Sequence, residues 1–208
     1  LKQYPSIEGA GPAEFAKIKD RPCVAFYKYD GSNLRAEWDR RKGWHQFGSR
    51  HRVISRAEPI LGEAIDLFLQ RYADPLAARL SSHPASANRE SATAFFEFFG
   101  ARSFAGQHEP DDPKQVVLFD ISVHRRGMLG PESFLDLCQG LPVAQVVYRG
   151  PCSASFVEDV RKGKYPVVEG VICKGGEGHN LWMRKVKTLS YLETLKARFG
   201  ARWADFWE

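Results

Sequence analysis

A chain of 208 residues with 43% apolar and 12% aromatic side chains has the composition of a folded globular protein, long enough to bury a sizeable core as one large domain or one domain with a small appendage. Thirty Lys and Arg against twenty-five Asp and Glu leave +5, a mild basic excess that suits a polyanionic partner without requiring one. The four cysteines at 23, 138, 152 and 173 have no CxxC spacing, no run of about 18 apolar residues exists, and no basic-then-apolar signal opens the chain. Reduced thiols without zinc, in a soluble cytoplasmic protein with no membrane partner, are therefore expected.

Taken in order, Leu1 to Pro12 is rich in Gly and Pro, and Pro12 fits the first turn of a short helix to Ile18. The apolar run Val24 to Tyr27 reads as a strand that Lys28 closes; Asp30-Gly31 then turns the chain into a second strand, Leu34 to Trp38. A lysine at such a strand end is a cation at neutral pH, and becomes a nucleophile only where burial or neighbouring cations favour the free amine. Asp39 to Gly43 is an exposed turn carrying Arg40, Arg41 and Lys42, followed by a strand over Trp44 to Phe47 and by Arg50, whose planar fork suits phosphate or ribose oxygens. From Ser55 to Leu80 the period becomes helical: Ile60, Leu61, Ala64, Ile65, Phe68, Leu69 and Tyr72 form a stripe that Leu76 and Leu80 continue less firmly, with Pro59 in the first turn and a break expected at Asp74-Pro75.

After a polar loop from Ser81 to Ser91, Glu97 stands among four phenylalanines on a strand ending at Gly100, where a carboxylate needs a cation, a hydrogen-bonding group or a metal beside it. Residues 106–114 read as a loop and Val116 to Val123 as a strand, on which alternation puts Phe119 with Val117 and Ile121, as a core aromatic or a base-stacking ring. Further elements are a helix over Pro131 to Cys138, a strand over Val143 to Tyr148, a helix from Ser153 to Lys162, and strands Val167 to Lys174 and Leu181 to Lys187 around a glycine-rich turn. Period 2 brings Lys185 and Lys187 to one side, where the two charges repel unless an anion lies between them. A last helix follows Thr188, with Ser190 to Glu193 as its capping box and Gly200 as its end.

The ordered set Lys28-Tyr29-Asp30-Gly31-Ser32-Asn33, Ser49-Arg50, Phe96-Glu97-Phe98-Phe99-Gly100, Phe119-Asp120, Glu169-Gly170-Val171-Ile172-Cys173-Lys174 and Lys185-Val186-Lys187 resembles the motifs of the covalent nucleotidyltransferases, the superfamily of ATP-dependent ligases and mRNA capping enzymes. Within it the chain most resembles RNA ligases of the phage RNA ligase 2 and RNA-editing type, over residues 23 to 188. Asn33 and the aromatic pair between Glu97 and Gly100 favour RNA ligases over DNA ligases. Two positions depart from the pattern: Tyr27 stands where many relatives carry Glu, which leaves the base less firmly adenine, and Phe96 stands where Gly is usual, which bears on the ribose pocket.

The resemblance implies an α+β nucleotidyltransferase fold, with antiparallel sheets flanked by helices around a nucleotide cleft. It implies one catalytic domain over 1–208; relatives continue into an OB or helical domain, and none is expected here. Lys28 would attack ATP to give lysyl-AMP, AMP would pass to an RNA 5′-phosphate, and a 3′-hydroxyl would displace it. Lys185 and Lys187 would hold the α-phosphate and depress the pKa of Lys28, and Glu169 would serve Mg²⁺ or Mn²⁺ directly or through water. Glu97 would bind the ribose, Phe119 the base, and Asn33 and Arg50 sugar or phosphate oxygens; Asp30 and Asp120 would bind nucleotide or orient a lysine. A monomer that grips RNA weakly and salt-sensitively through its basic clusters is expected. A DNA ligase, a GTP-using capping enzyme and a non-catalytic RNA-binding module are the alternatives.

Overall fold

The computed structural model describes residues 2–101 and 109–206, so the loop expected at 106–114 lies partly outside the described residues. In chain order the strands are β1 (Pro22–Lys28), β2 (Ser32–Asp39), β3 (Gly43–Ser49), β4 (Val53–Ile54), β5 (Ser91–Phe99), β6 (Gln115–Val123), β7 (Gly127–Met128), β8 (Val146–Pro151), β9 (Gly170–Gly175) and β10 (Trp182–Lys187). The helices are α1 (Pro12–Ala16), α2 (Leu61–Ser82), α3 (Pro131–Leu137), α4 (Ala154–Arg161) and α5 (Leu189–Phe199). The chain divides into two compact units, Leu1–Tyr4 with Gly31–Val143, and Pro5–Asp30 with Ala144–Glu208. This is the expected α+β class, and every pairing between the strands is antiparallel.

The first unit holds a six-stranded sheet in the order β4-β3-β2-β5-β6-β7. Its core is aromatic: Phe68 of α2 stacks on Phe96 of β5 with centroids 4.6 Å apart, and Trp44 and Phe47 of β3 meet Phe68 edge-on. Tyr72 is fully buried, and its hydroxyl donates to the Pro142 carbonyl (2.7 Å) while accepting from the Leu118 amide (3.2 Å).

Helix α2 corrects three expectations. Pro75 lies inside it and does not break it. Losing the proline amide costs about 3 kcal/mol, but Leu76 and Leu80 beyond it are fully buried, each contributing about 1.5–3 kcal/mol, so tertiary burial carries the helix to Ser82. Ile60 is not part of the stripe: it precedes the helix at φ +68° and is 56% exposed. Pro59 likewise falls before the first turn.

The second unit is built on a four-stranded sheet in the order β10-β9-β1-β8. Against one side pack Phe156, Val157 and Val160 of α4, forming a core with Cys23, Ala25, Val171, Cys173, Trp182 and Val186. Ser153 caps α4, its hydroxyl accepting from the Phe156 amide at 3.1 Å. Strand β8 runs later than Val143 to Tyr148, and Val143 instead bridges Leu118 in the first unit. Helix α5 is capped by Thr188, whose Oγ1 accepts from the Tyr191 amide (3.2 Å), and not by Ser190. Gly200 ends it at φ 54°, and Tyr191, Leu192 and Leu195 are its buried face.

Candidate active site

Antiparallel register decides what surrounds Lys28. It stands opposite Gly170 of β9, which in turn stands opposite Lys187 of β10; the next row across is Phe26, Ile172 and Lys185, and the one after it Val24, Lys174 and Met183. Directly opposed residues, and alternate residues along a strand, point to one side of a sheet. Lys28, Lys174, Lys185 and Lys187 therefore share a face, as alternation predicts for the last two.

Lys174 is the addition. It is 2% exposed with its ammonium 5.1 Å from the centre of the Phe26 ring, a position legible in its even spacing from Gly170 but given no role in the sequence reading. Arg184 faces the other way, bonding Glu14 at 2.9 Å and Glu8 at 3.3 Å. The basic run Arg184 to Lys187 is thus split across the sheet.

One of that pair, Lys187, shares an anion of the protein itself with Lys28. Glu169 Oε1 lies 2.8 Å from Lys28 Nζ and 3.3 Å from Lys187 Nζ, and the Glu169 side chain is 4% exposed. Burial lowers the Lys187 pKa, with Glu169 opposing and Lys28 reinforcing the shift. Gly170 supplies no side chain to the row between the two lysines; at φ +147° it favours the absence of a Cβ, and one added there would clash with the Val186 carbonyl oxygen.

Backbone and helix contacts hold Glu169 in place. Its carbonyl accepts from the Thr188 amide (3.0 Å), Thr188 Oγ1 donates to the Val168 carbonyl (2.7 Å), and the Val168 amide donates to the Tyr27 hydroxyl (3.3 Å). Tyr27, the departure before the lysine, thus supports the segment carrying the carboxylate. Asp30 is buried and accepts from the Tyr191 hydroxyl at 3.1 Å, while the Tyr191 ring lies 5.2 Å beneath Lys187 Nζ. The cap and first turn of α5 therefore touch three of the expected site residues.

In the first unit, Asn33 of β2 stands opposite Glu97 of β5, and Arg35 opposite Phe95, which opposes Asp120 of β6. Register shifts between Phe95 and Phe96, which leaves Phe119 as the extra residue of a bulge in β6. The simple division of that strand by alternation fails there, because Phe119 is half-buried between two fully buried neighbours' positions, Leu118 and Ile121. Tyr4 lies beside it: its ring meets Phe119 edge-on and Phe95 at a tilt, each at 5.0 Å, and its hydroxyl donates to Asp120 Oδ2 at 2.9 Å. Burial first, then the Asp120 charge, raise the Tyr4 pKa well above 10.

Lys2 Nζ donates to Ser122 Oγ at 2.7 Å. No periodicity in the sequence marks this opening segment as part of a site. Asn33 Oδ1 and Arg35 Nε are buried without a hydrogen-bond partner, which marks this face as one with bonding capacity for a ligand. Arg50 is exposed after β3, and its carbonyl accepts from Arg35 Nη1 at 3.5 Å.

Four lysines facing one way suit a polyphosphate. Among the described residues no three carboxylates or histidines converge, so a divalent ion here would be held by Glu169 with phosphate oxygens and water, the manner usual for magnesium. Among the described residues the one converging set is Cys23, Cys152 and Cys173, all buried, with sulfurs within 4.8 Å of one another. Hydrogen bonding within the group lowers the Cys152 pKa and raises that of Cys23. Spacing along the chain concealed this cluster.

No protein-family profile matches the sequence, and no curated protein resembles it significantly in sequence. Solved structures do resemble it. A Naegleria gruberi RNA ligase mutant with ATP and Mn superposes with a TM-score of 0.69 at 15% identity, covering 93% of this chain and 60% of that one. The same ligase with PPi gives 0.68 at 16% identity, over 95% and 59%. A further mutant, with AMP and Mn, gives 0.67 at 15% identity, over 93% and 57%. The chain thus spans about three-fifths of the ligase chains it matches, and its fold is the nucleotidyltransferase fold of RNA ligases.

Proposed function

We propose that this chain is the nucleotidyltransferase part of an ATP-dependent RNA ligase. The observation that carries the reading is the single buried carboxylate oxygen of Glu169 bonding both Lys28 and Lys187 on a face that also bears Lys174 and Lys185. In the first step the Lys28 Nζ lone pair forms a bond to the α-phosphorus while the bond from that phosphorus to the bridging oxygen breaks and pyrophosphate departs. Glu169 Oε1, 2.8 Å away, is the acceptor in reach of the proton that Nζ gives up. Lys185 and Lys187 neutralise the α-phosphate oxygens, a task of position and electrostatics. Mg²⁺ or Mn²⁺, when bound, supplies further charge neutralisation at the phosphates, with Glu169 as its protein ligand.

Recognition of the nucleoside falls to the first unit. Phe119 stacks on the base, Glu97 and Asn33 bind the ribose, and Arg50 reaches phosphate or sugar; in the second unit Asp30 orients the lysine face through Tyr191. The partner is RNA bearing a 5′-phosphate and a 3′-hydroxyl, joined after AMP has passed to the phosphate. Neighbours solved with ATP, AMP, PPi and Mn support nucleotide and divalent-ion use.

The test is incubation with each α-labelled nucleoside triphosphate and Mg²⁺ or Mn²⁺, followed by denaturing electrophoresis, then transfer to nicked RNA and nicked DNA. Label from ATP on the wild type and none on Lys28→Ala is expected, with sealing of RNA. Label persisting on Lys28→Ala would remove Lys28 as nucleophile, and no adduct with any nucleotide would leave a non-catalytic RNA-binding module.

A further inference from the structure

Cys23 lies on β1 and Cys173 on β9, where register places Cys173 opposite Ala25, two residues along from Cys23 and on the side of the sheet away from the lysines. Cys152 follows β8 and is fixed by its backbone, donating to the Arg21 carbonyl (2.8 Å) and accepting from the Asp20 amide (3.0 Å). The residues are 5%, 0% and 0% exposed for Cys23, Cys152 and Cys173, and around them stand Ala25, Phe156, Val157, Val160 and Val171. No histidine or carboxylate belongs to the group.

Three soft donors in an apolar core select their ligand by coordination number and charge. Zinc prefers four ligands, and with three thiolates it would leave one negative charge buried; a monovalent copper ion would leave two. Uncompensated charge in such surroundings is costly. A trivalent thiophile of the arsenic group makes three bonds to sulfur, fills the fourth direction with its own lone pair, and gives a neutral product. In a tetrahedral arrangement, sulfurs about 2.3 Å from a shared atom stand roughly 3.8 Å apart, and the three sulfurs here all lie within 4.8 Å of one another.

We propose that Cys23, Cys152 and Cys173 form a three-sulfur binding site for a trivalent thiophilic ion such as arsenic(III). Arsenous acid and three thiols give the tris-thiolate and three waters: each sulfur–hydrogen bond is exchanged for a sulfur–arsenic bond, and each proton leaves with a hydroxide formerly on arsenic. No oxidation state changes. The burial of all three sulfurs makes uptake slow.

The site is tested on the reduced protein with sodium arsenite. Native mass spectrometry should find one arsenic gained and three hydrogens lost per chain, and X-ray absorption should count three sulfurs around it. Cys23→Ala, Cys152→Ala and Cys173→Ala should each abolish this species, while Cys138→Ala, at a buried cysteine outside the group, should retain it. Circular dichroism reports whether each variant is folded; if one is not, the sulfur count on the wild type decides alone. No uptake, a two-sulfur site, or complete displacement by equimolar zinc would overturn the proposal. Because the readout is arsenic bound per chain, it stands or falls apart from the ligase reading.

Discussion

The two units carry different kinds of chemistry on their sheets. The four-stranded sheet gathers charge: four lysines face one way, and Glu169 and Asp30 are the carboxylates placed among them. The six-stranded sheet gathers rings and hydrogen-bonding groups, with Tyr4, Phe95 and Phe119 in contact and Asn33, Arg35, Glu97 and Asp120 in adjacent register. Under the proposed reading, that contrast matches the demands of a phosphate, which needs cations, and those of a nucleoside, which needs a stacking surface and donors and acceptors of fixed direction.

Mutations can break that contrast. Lys28→Ala should have the largest effect, taking the protein–nucleotide adduct below detection in the labelling assay. Glu169→Gln leaves Lys28 and Lys187 without their shared anion and should slow adduct formation by about 10²–10³-fold, the loss typical of one electrostatic group in an active site, read in single-turnover labelling. Phe119→Ala, on the other sheet, should instead raise the KM for nucleotide by roughly tenfold with kcat little changed, as loss of a base-stacking surface of about 1–3 kcal/mol implies. A fall in kcat with unchanged KM would show that the two sheets do not divide the work in this way.

The smallest effect is expected at Tyr4. Tyr4→Phe removes a donor from the buried Asp120 carboxylate and should cost about 1–3 kcal/mol, seen as a lower denaturation midpoint at constant slope. Its pKa is raised in the folded protein, so above about pH 10 the folded state keeps a proton that the unfolded chain releases. Stability contributed by this group is full below that pH and declines as pH rises toward the raised pKa. Tyr4→Phe should remove that part of the alkaline decline.

Much of the site could be read from local pattern because strand alternation and turn chemistry are local. Lys28 at a strand end, Lys185 and Lys187 on one side, and Glu97 on a phenylalanine-rich strand all follow from spacing within a few residues. Pro75 misled because its local cost is outweighed by Leu76 and Leu80, whose burial depends on the rest of the first unit. Ser190 misled in a similar way: Thr188 takes the capping role while also bonding Val168, a partner twenty residues away. The Phe119 bulge, Tyr4 and the three thiols needed pairings between distant segments, which no period in the chain encodes.

Gly170 brings no functional group of its own, so a survey that trims side chains to alanine would pass over it or record only a gain in bulk. Yet the spacing between neighbouring strands at Glu169 is set there, and a single methyl would wedge β9 from β10 at the level of Lys28 and Lys187. The residue acts as a ruler for the charges around it, so the mildest possible substitution in this region should damage catalysis more than the loss of many larger side chains.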